Sequence, residues 1–288
     1  MARIAIVGPG AIGLTVGAAL MEGPHSVVFC GRHIFDDVAV TYGADTLRLQ
    51  ATVITDESKA QPVDWVLFCV KAHMTESASG WIRPLAAANV AVLRNGVEHM
   101  EAMRPYVPTE TRIVPVVVWI PANRTGPGEA AAGAKPRLVA ADDAGGCDFK
   151  NLFAGTRVTA ETTNDFVTEA WDKLCVNAPG GAITALTERL FPDMRTPLIE
   201  ELARQIVAEC VAVGRAEGAK LDESVPLRYA QRILNSTGSN SMYGDRLAGL
   251  PLEFEARNAV IVRLGAKHGI RTPVNAALVA LLSVVSAK

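Results

Sequence analysis

A parallel α/β domain followed by an all-helical domain is the fold class predicted for this chain of 288 residues. Three observations predict it. Short apolar runs alternate with more polar helical stretches through the first half, the pattern of strands joined by crossover helices. A glycine-rich turn follows the first of those runs directly. After Asn164 the strand-like runs stop and helical periodicity takes over.

The run Ile4-Ala5-Ile6-Val7 is rich in β-branched residues and reads as a first strand. Ala11–Glu22 has helical periodicity, and Val27–Cys30 reads as a second strand. Val63–Val70 is nearly all apolar, as a strand buried on both faces should be. Val90–Leu93 and Ile113–Ile120 continue the series, with Pro115 predicting an irregularity or an edge position. The stretch 121–135 is rich in Gly, Ala and Pro and reads as an irregular excursion within the domain. Two further short strands are expected at Leu138–Ala141 and Arg157–Ala160.

The predicted domains are 1–163 and 164–288, with Asn164 or Asp165 as the N-cap of the first helix of the second. Phe166, Ala170 and Leu174 recur at helical spacing until Pro179-Gly180-Gly181 interrupts. Leu198–Glu217, Val225–Leu234, Leu252–His268 and Val274–Val285 supply four more helices, with a polar loop from Asn235 to Asp245.

Hydrophobic residues make up 49% of the chain, enough for ordinary cores. Its 28 basic and 30 acidic residues leave a net charge of -2, which gives no footprint for nucleic acid or an anionic membrane. Cys30, Cys69, Cys147, Cys175 and Cys210 are far apart and mostly in apolar runs. They read as buried thiols in a reducing compartment rather than as disulfides or zinc ligands. The five histidines form no ligand-spaced pair, so no metal is expected. Gly8, Pro9, Gly10 and Gly13 would break a signal-peptide helix, and Ala276–Val285 is too short to span a bilayer. A cytoplasmic location is the expectation. Ala276–Val285 could pair two copies in a homodimer or serve as core of its own domain.

Gly8-Pro9-Gly10-Ala11-Ile12-Gly13 is a G-x-G-x-x-G placed straight after a strand and opening a helix. Each glycine has a mechanical reason. Gly8 allows the tight turn, Gly10 lets the backbone approach a pyrophosphate, and Gly13 allows close packing of helix on sheet. The helix N-terminus offers N–H groups and partial positive charge to the phosphates. This is the fingerprint of a Rossmann-type dinucleotide site. A site for NAD usually has a carboxylate at the end of the second strand, about 20 residues on. Here that strand ends Phe29-Cys30-Gly31-Arg32, and no carboxylate appears until Asp36. Arg32 suits a 2′-phosphate by charge and geometry, which favours NADP; its other reading is a solvated loop charge.

Three further elements carry candidate chemistry. Lys71 ends the third buried strand in Cys69-Val70-Lys71-Ala72, where open α/β sheets place ligands. Asn95 ends the next strand before Gly96, a pair that also reads as a plain turn. On the first helix of the second domain, Lys173 and Asn177 are i and i+4 and share one face. Trp171, Leu174, Cys175 and Val176 around them suggest a largely buried helix, where a lysine is costly unless used. The polar loop carries Ser241-Met242, with Glu253 twelve residues after the serine.

In order and spacing, the glycine turn, Val70-Lys71-Ala72, Asn95-Gly96, Lys173 with Asn177, and Ser241-Met242 followed by Glu253 resemble the ketopantoate reductase (2-dehydropantoate 2-reductase) family. The resemblance covers nearly the whole chain. It implies a Rossmann-type domain and a helical domain with the active site in the cleft between them, and NADPH as hydride donor to a small 2-oxo acid. By position it implies Lys173 as proton donor and Asn95 in contact with cofactor and substrate. It also implies Asn177 and Ser241 on the substrate, Glu253 beside the nicotinamide end and substrate, and Lys71 on the cofactor side. The chemistry agrees. A hydride arriving at a ketone carbon builds charge on its oxygen, and an ammonium there stabilises that charge and supplies the proton.

Two positions depart from the family pattern. Its asparagine eight residues after the lysine is Gly181 here, and another, eighteen after, is Phe191. The segment Trp119–Glu129 is also unlike the family. Ketopantoate and another branched or less polar 2-oxo acid therefore both stand as substrate readings. A β-hydroxy acid dehydrogenase would share the architecture but would show a glycine-rich substrate motif that is not found. A non-catalytic NADP-binding sensor is the reading from another class, against which the retained Lys173, Asn177, Ser241 and Glu253 speak.

Overall fold

The computed structural model describes residues 1–287. The chain divides into two compact units, one of Met1–Arg94 with Glu98–Phe166, the other of Asn95–Val97 with the chain from Val167 on.

The strands of the first unit are β1 (Arg3–Val7), β2 (Ser26–Cys30), β3 (Asp37–Tyr42), β4 (Asp45–Gln50), β5 (Val53–Ile54), β6 (Trp65–Phe68), β7 (Asn89–Leu93), β8 (Arg112–Trp119), β9 (Ala122–Gly126), β10 (Glu129–Ala132), β11 (Arg137–Ala141) and β12 (Thr159–Thr163). Eight of them form the main sheet, ordered β12-β11-β8-β7-β6-β1-β2-β5. All neighbours in it pair in parallel except β8 and β11, which are antiparallel. Its last strand, β12, starts at Thr159 rather than at Arg157 as expected. Side chains alternate between two cores, as a strand's period of two requires. Ile4 and Ile6 face one, with Leu14 and Phe29; Ala5 and Val7 face the other, with Val66, Phe68, Ile82 and Leu85. Both faces are therefore covered, which explains why β6 is buried at every residue.

Pro115 does not mark an edge. β8 lies inside the sheet, with Pro115 opposite Val92 of β7 and just before the antiparallel ladder with β11, which begins at Val116. The excursion at 121–135 is likewise not irregular. It is a hairpin of β9 and β10 that joins β3 and β4 in a second sheet ordered β4-β3-β10-β9. This sheet buries Val38, Val40, Ala130 and Ala132 in the same core as Leu14 and Val16 of α1 (Ala11–Met21). Tyr42 fixes the contact by donating from its hydroxyl to the Thr15 carbonyl at 2.6 Å. A helix covered by two sheets needs apolar residues all round, and Gly13 through Leu20 are all buried. The remaining helices of this unit are the short α2 (Thr75–Ala78), α3 (Ile82–Leu85) and α4 (His99–Met103), and α5 (Ala144–Leu152). Cys147 on α5 is exposed, so the expectation of buried thiols fails there, while Cys30, Cys175 and Cys210 are buried.

The second unit is helical: α6 (Phe166–Thr187), α7 (Pro197–Ala216), α8 (Val225–Leu234), α9 (Ser241–Leu247), α10 (Val260–Lys267) and α11 (Pro273–Val285). The Pro179-Gly180-Gly181 interruption does not occur. α6 runs through it, with all three residues buried. Proline removes the helical hydrogen bond to the Cys175 carbonyl, and side chains from outside and within the helix tie down the segment around it. Asn240 and Thr184 both donate to the Gly180 oxygen, at 3.1 and 2.7 Å, and Asn258 donates to that of Ala178 at 3.3 Å. The expected loop from Asn235 contains α9, capped by Asn240. The expected helix from Leu252 instead opens with a π-helical turn, Glu255–Ala259, before α10. α11 is held by Glu209 of α7, which accepts from the Val274 and Asn275 amides at 2.8 and 2.9 Å. Leu278 and Leu282 of α11 are core, whereas Leu281 and Val284 are 55% and 82% exposed. No helix among the described residues is long and apolar enough to cross a membrane.

Candidate active site

In the first unit, the candidate nucleotide residues gather at the carboxyl ends of three adjacent strands, β6, β1 and β2. Gly8 leaves β1 with φ +86° and lies against Val70, where a Cβ would fall 2.5 Å from the valine Cγ1. Its amide donates to the Cys30 carbonyl at 3.0 Å, tying the turn to the end of β2. A Cβ on Gly13 would fall 2.3 Å from the Gly8 oxygen, so that glycine is demanded by packing. Gly10 differs: nothing lies within 4 Å of its Cβ position. It is the N-cap residue of α1, which has no side-chain cap among the described residues. Open space above a glycine at an uncapped helix start suits a pyrophosphate, so these residues fit a dinucleotide.

Pro9, Ala11 and Ile12 complete the turn, half-buried. The Pro9 ring rests over Gly31, where a Cβ would meet it at 2.7 Å. Arg32 follows, exposed, one residue beyond. Lys71 directly follows Val70, three residues beyond the end of β6, half-buried, and opens the short turn Ala72–Met74. Burial pushes the Cys30 thiol up to about 12 and the Cys69 thiol up as well, so both stay neutral beside the turn.

In the second unit, five polar residues from four segments form one hydrogen-bonded chain. Asn177 on α6 donates from Nδ2 to Asn95 Oδ1 at 3.0 Å. Asn95 donates from Nδ2 to Glu253 Oε2 at 2.9 Å. Arg257 Nη2 lies 3.4 Å from the same carboxylate oxygen and donates to Ser241 Oγ at 2.7 Å. Glu253 and Arg257 are buried, with side chains 4% and 2% exposed. Gly96, at φ +100°, turns the chain so that Asn95 reaches this network; its Cβ position lies 3.0 Å from the Ala256 oxygen. Asn95-Gly96 is thus a turn that also delivers a member of the network. Lys173 is half-buried on α6, one helical turn before Asn177.

Sequence reasoning missed Arg257 and Asn240. The spacing of Glu253 and Arg257, i and i+4 beside apolar residues, was the available signal for the first. Asn240 accepts from the Tyr243 amide at 3.1 Å and donates to Thr184 Oγ1 at 2.8 Å, fixing the start of α9, and so Ser241, against α6. Of the two departures, Phe191 is 3% exposed and belongs to the helical core. Gly181 faces Arg257 and Met242: a Cβ there would fall 3.0 Å from Arg257 Nη1 and 2.8 Å from Met242 Sδ.

A mostly parallel sheet with a dinucleotide turn, followed by a helical unit with its own polar network, defines the class of two-unit nicotinamide-dependent oxidoreductases. Comparison with known proteins sharpens this. The family described as ketopantoate reductase PanE/ApbA matches residues 4–143, and its C-terminal counterpart matches residues 165–286. The chain belongs to the ketopantoate reductase PanE/ApbA family. It is 40% identical to 2-dehydropantoate 2-reductase of Caulobacter vibrioides, over 98% of this chain and 99% of that one. Among solved structures it is similar to a PanE/ApbA family ketopantoate reductase from Ralstonia eutropha, with TM-score 0.88 and 29% identity over 98% of both chains. It is also similar to 2-dehydropantoate 2-reductase from Geobacter metallireducens, with TM-score 0.89 and 26% identity over 99% of this chain and 100% of that one.

Proposed function

We propose that this chain reduces 2-dehydropantoate (ketopantoate) to pantoate with NADPH. Bound NADPH supplies the hydride that reaches the ketone carbon. Lys173 holds a proton at Nζ and gives it to the ketone oxygen, where charge develops as the carbon is reduced. Asn177 and Asn95, held amide to amide, have their orientation fixed before substrate arrives, which lowers the ordering cost of binding. Ser241 offers its hydroxyl to the substrate carboxylate. Glu253 anchors the Asn95 amide, and its proposed place is beside the nicotinamide end and the substrate. Gly8, Pro9, Gly10, Ala11, Ile12 and Gly13 receive the pyrophosphate, Arg32 the 2′-phosphate, and Lys71 the cofactor side.

The observation that carries this reading is the hydrogen-bonded chain Asn177–Asn95–Glu253–Arg257–Ser241. All its members except Arg257 are site residues that the sequence predicts, and they come from segments far apart in the chain. Family membership over nearly the full length supports the same reaction. The test is loss of reduced-nicotinamide absorbance with purified protein, NADPH or NADH, and a panel of 2-oxo acids. Turnover of ketopantoate with preference for NADPH is expected. Preference for another 2-oxo acid would move the substrate, and tight NADPH binding without any turnover would overturn the enzyme in favour of a nucleotide-binding sensor.

A further inference from the structure

Arg257 is the most deeply buried charge in the network, and its surroundings do not fully satisfy it. Taking a guanidinium out of water is costly unless it is paired and hydrogen-bonded. Glu253 Oε2 is 3.4 Å away, beyond the roughly 2.7–2.9 Å of a good charge-assisted hydrogen bond, and that oxygen already accepts from Asn95. The Arg257 Nε is buried with no hydrogen-bond partner among the described residues. The short bond runs from Nη2 to Ser241 Oγ, at 2.7 Å.

That bond fixes what Ser241 can do. A serine hydroxyl has one donor and two lone pairs, and a guanidinium has only donors. Arg257 therefore occupies an acceptor site on Oγ, and the Ser241 O–H must donate elsewhere. The adjacent positive charge polarises that O–H. A hydroxyl so committed favours an acceptor bearing negative charge, as a carboxylate does.

Gly181 is what admits the guanidinium. Glycine weakens a helix interior relative to alanine, yet Gly181 lies within α6. Its Cβ position is 3.0 Å from Arg257 Nη1, so a side chain there would compete with Arg257 for space.

We infer that Arg257 is a positioning residue for substrate recognition: through Ser241 it orients a hydroxyl donor toward the carboxylate of the 2-oxo acid, in a space that Gly181 leaves open. This rests on the reductase function proposed above. The test compares wild type with Arg257→Met, Arg257→Lys, Ser241→Ala and Gly181→Ala, at saturating NADPH, using ketopantoate and its methyl ester. NADPH affinity and Tm serve as checks of folding.

Arg257→Met is expected to raise KM for ketopantoate roughly 10- to 100-fold, the range for losing a hydrogen bond to a charged group. kcat should fall less, and turnover of the ester should change little. Arg257→Lys should recover part of the loss. Ser241→Ala should reproduce the effect, and adding it to Arg257→Met should add little. Gly181→Ala should shift KM in the same direction. Equal effects on acid and ester, or unchanged KM in Arg257→Met, would overturn the assignment. If Arg257→Met fails to fold, Arg257→Lys with Ser241→Ala decides: full additivity overturns it. Absence of 2-oxo acid turnover by wild type overturns both the function and this inference, whereas wild-type turnover with acid and ester equally affected overturns the inference alone.

Discussion

Single residues divide into those whose reason is local and those whose reason is not. The glycine turn is local, so its mechanics could be read from six consecutive residues. Gly13→Ala would push a Cβ to 2.3 Å from the Gly8 carbonyl oxygen. The expected outcome is a stability loss of about 1–3 kcal/mol together with weaker NADPH binding, seen by thermal unfolding and nucleotide titration. The proposed role of Arg32 rests on the missing carboxylate at the end of β2. Arg32→Ala is expected to weaken NADPH binding roughly 10- to 100-fold and NADH binding little, measured by fluorescence titration of each nucleotide. Arg257 was legible only as the i+4 neighbour of Glu253, not as a partner of Ser241 and Gly181. Those two lie 16 and 76 residues away in sequence, and only the folded helices bring them beside Arg257.

At the scale of elements, strands buried on both faces were legible because they are almost purely apolar. β3 and β4 were not. In β4, Leu47 and Leu49 are half-buried among exposed Thr46, Arg48 and Gln50. The alternation was present in the sequence after the Gly43 turn at φ +66°, but polar residues masked it. Pro179 misled for the opposite reason: helix propensity is a weak prior that packing overrides, and Ala178 to Gly181 are all buried in the helical unit. Asn240→Ala removes the cap of α9 and its bonds to α6, and a loss of about 1–2 kcal/mol is expected in denaturant unfolding. The contact between the ends of α7 and α10 adds a pH dependence. Glu217 accepts from His268 and from Lys267, the latter at 2.9 Å, and these bonds hold its carboxyl below the usual value of 4.5. A carboxyl with a depressed folded value stabilises the fold above its unfolded pKa and loses that contribution as pH falls through the folded one. Glu217→Gln is therefore expected to lower stability at neutral pH by up to ~1 kcal/mol. The difference from wild type should close as the pH falls below about 4.5, checked by urea unfolding across pH.

For the whole molecule, the parallel α/β unit and the helical unit were both legible, since helical and strand periodicities differ and change over near Asn164. The assignment of Asn95–Val97 to the helical unit was not, because the segment meets its neighbours only across long stretches of chain, Asn95 bonding to Glu253 and Asn177 158 and 82 residues away. The nucleotide turn and Lys173 belong to different units. The proposed nucleotide binding and the proposed proton donation are therefore expected to separate by mutation, Lys173→Ala lowering turnover while NADPH affinity holds.

The measurement that bears most directly on the reductase function is kcat for ketopantoate and NADPH in Lys173→Ala beside wild type, with NADPH affinity measured on the same samples. A fall of roughly 10²–10⁴ in kcat with unchanged NADPH affinity is the expected result. Turnover near the wild-type rate in Lys173→Ala would contradict the role of Lys173 as proton donor and the mechanism built on it.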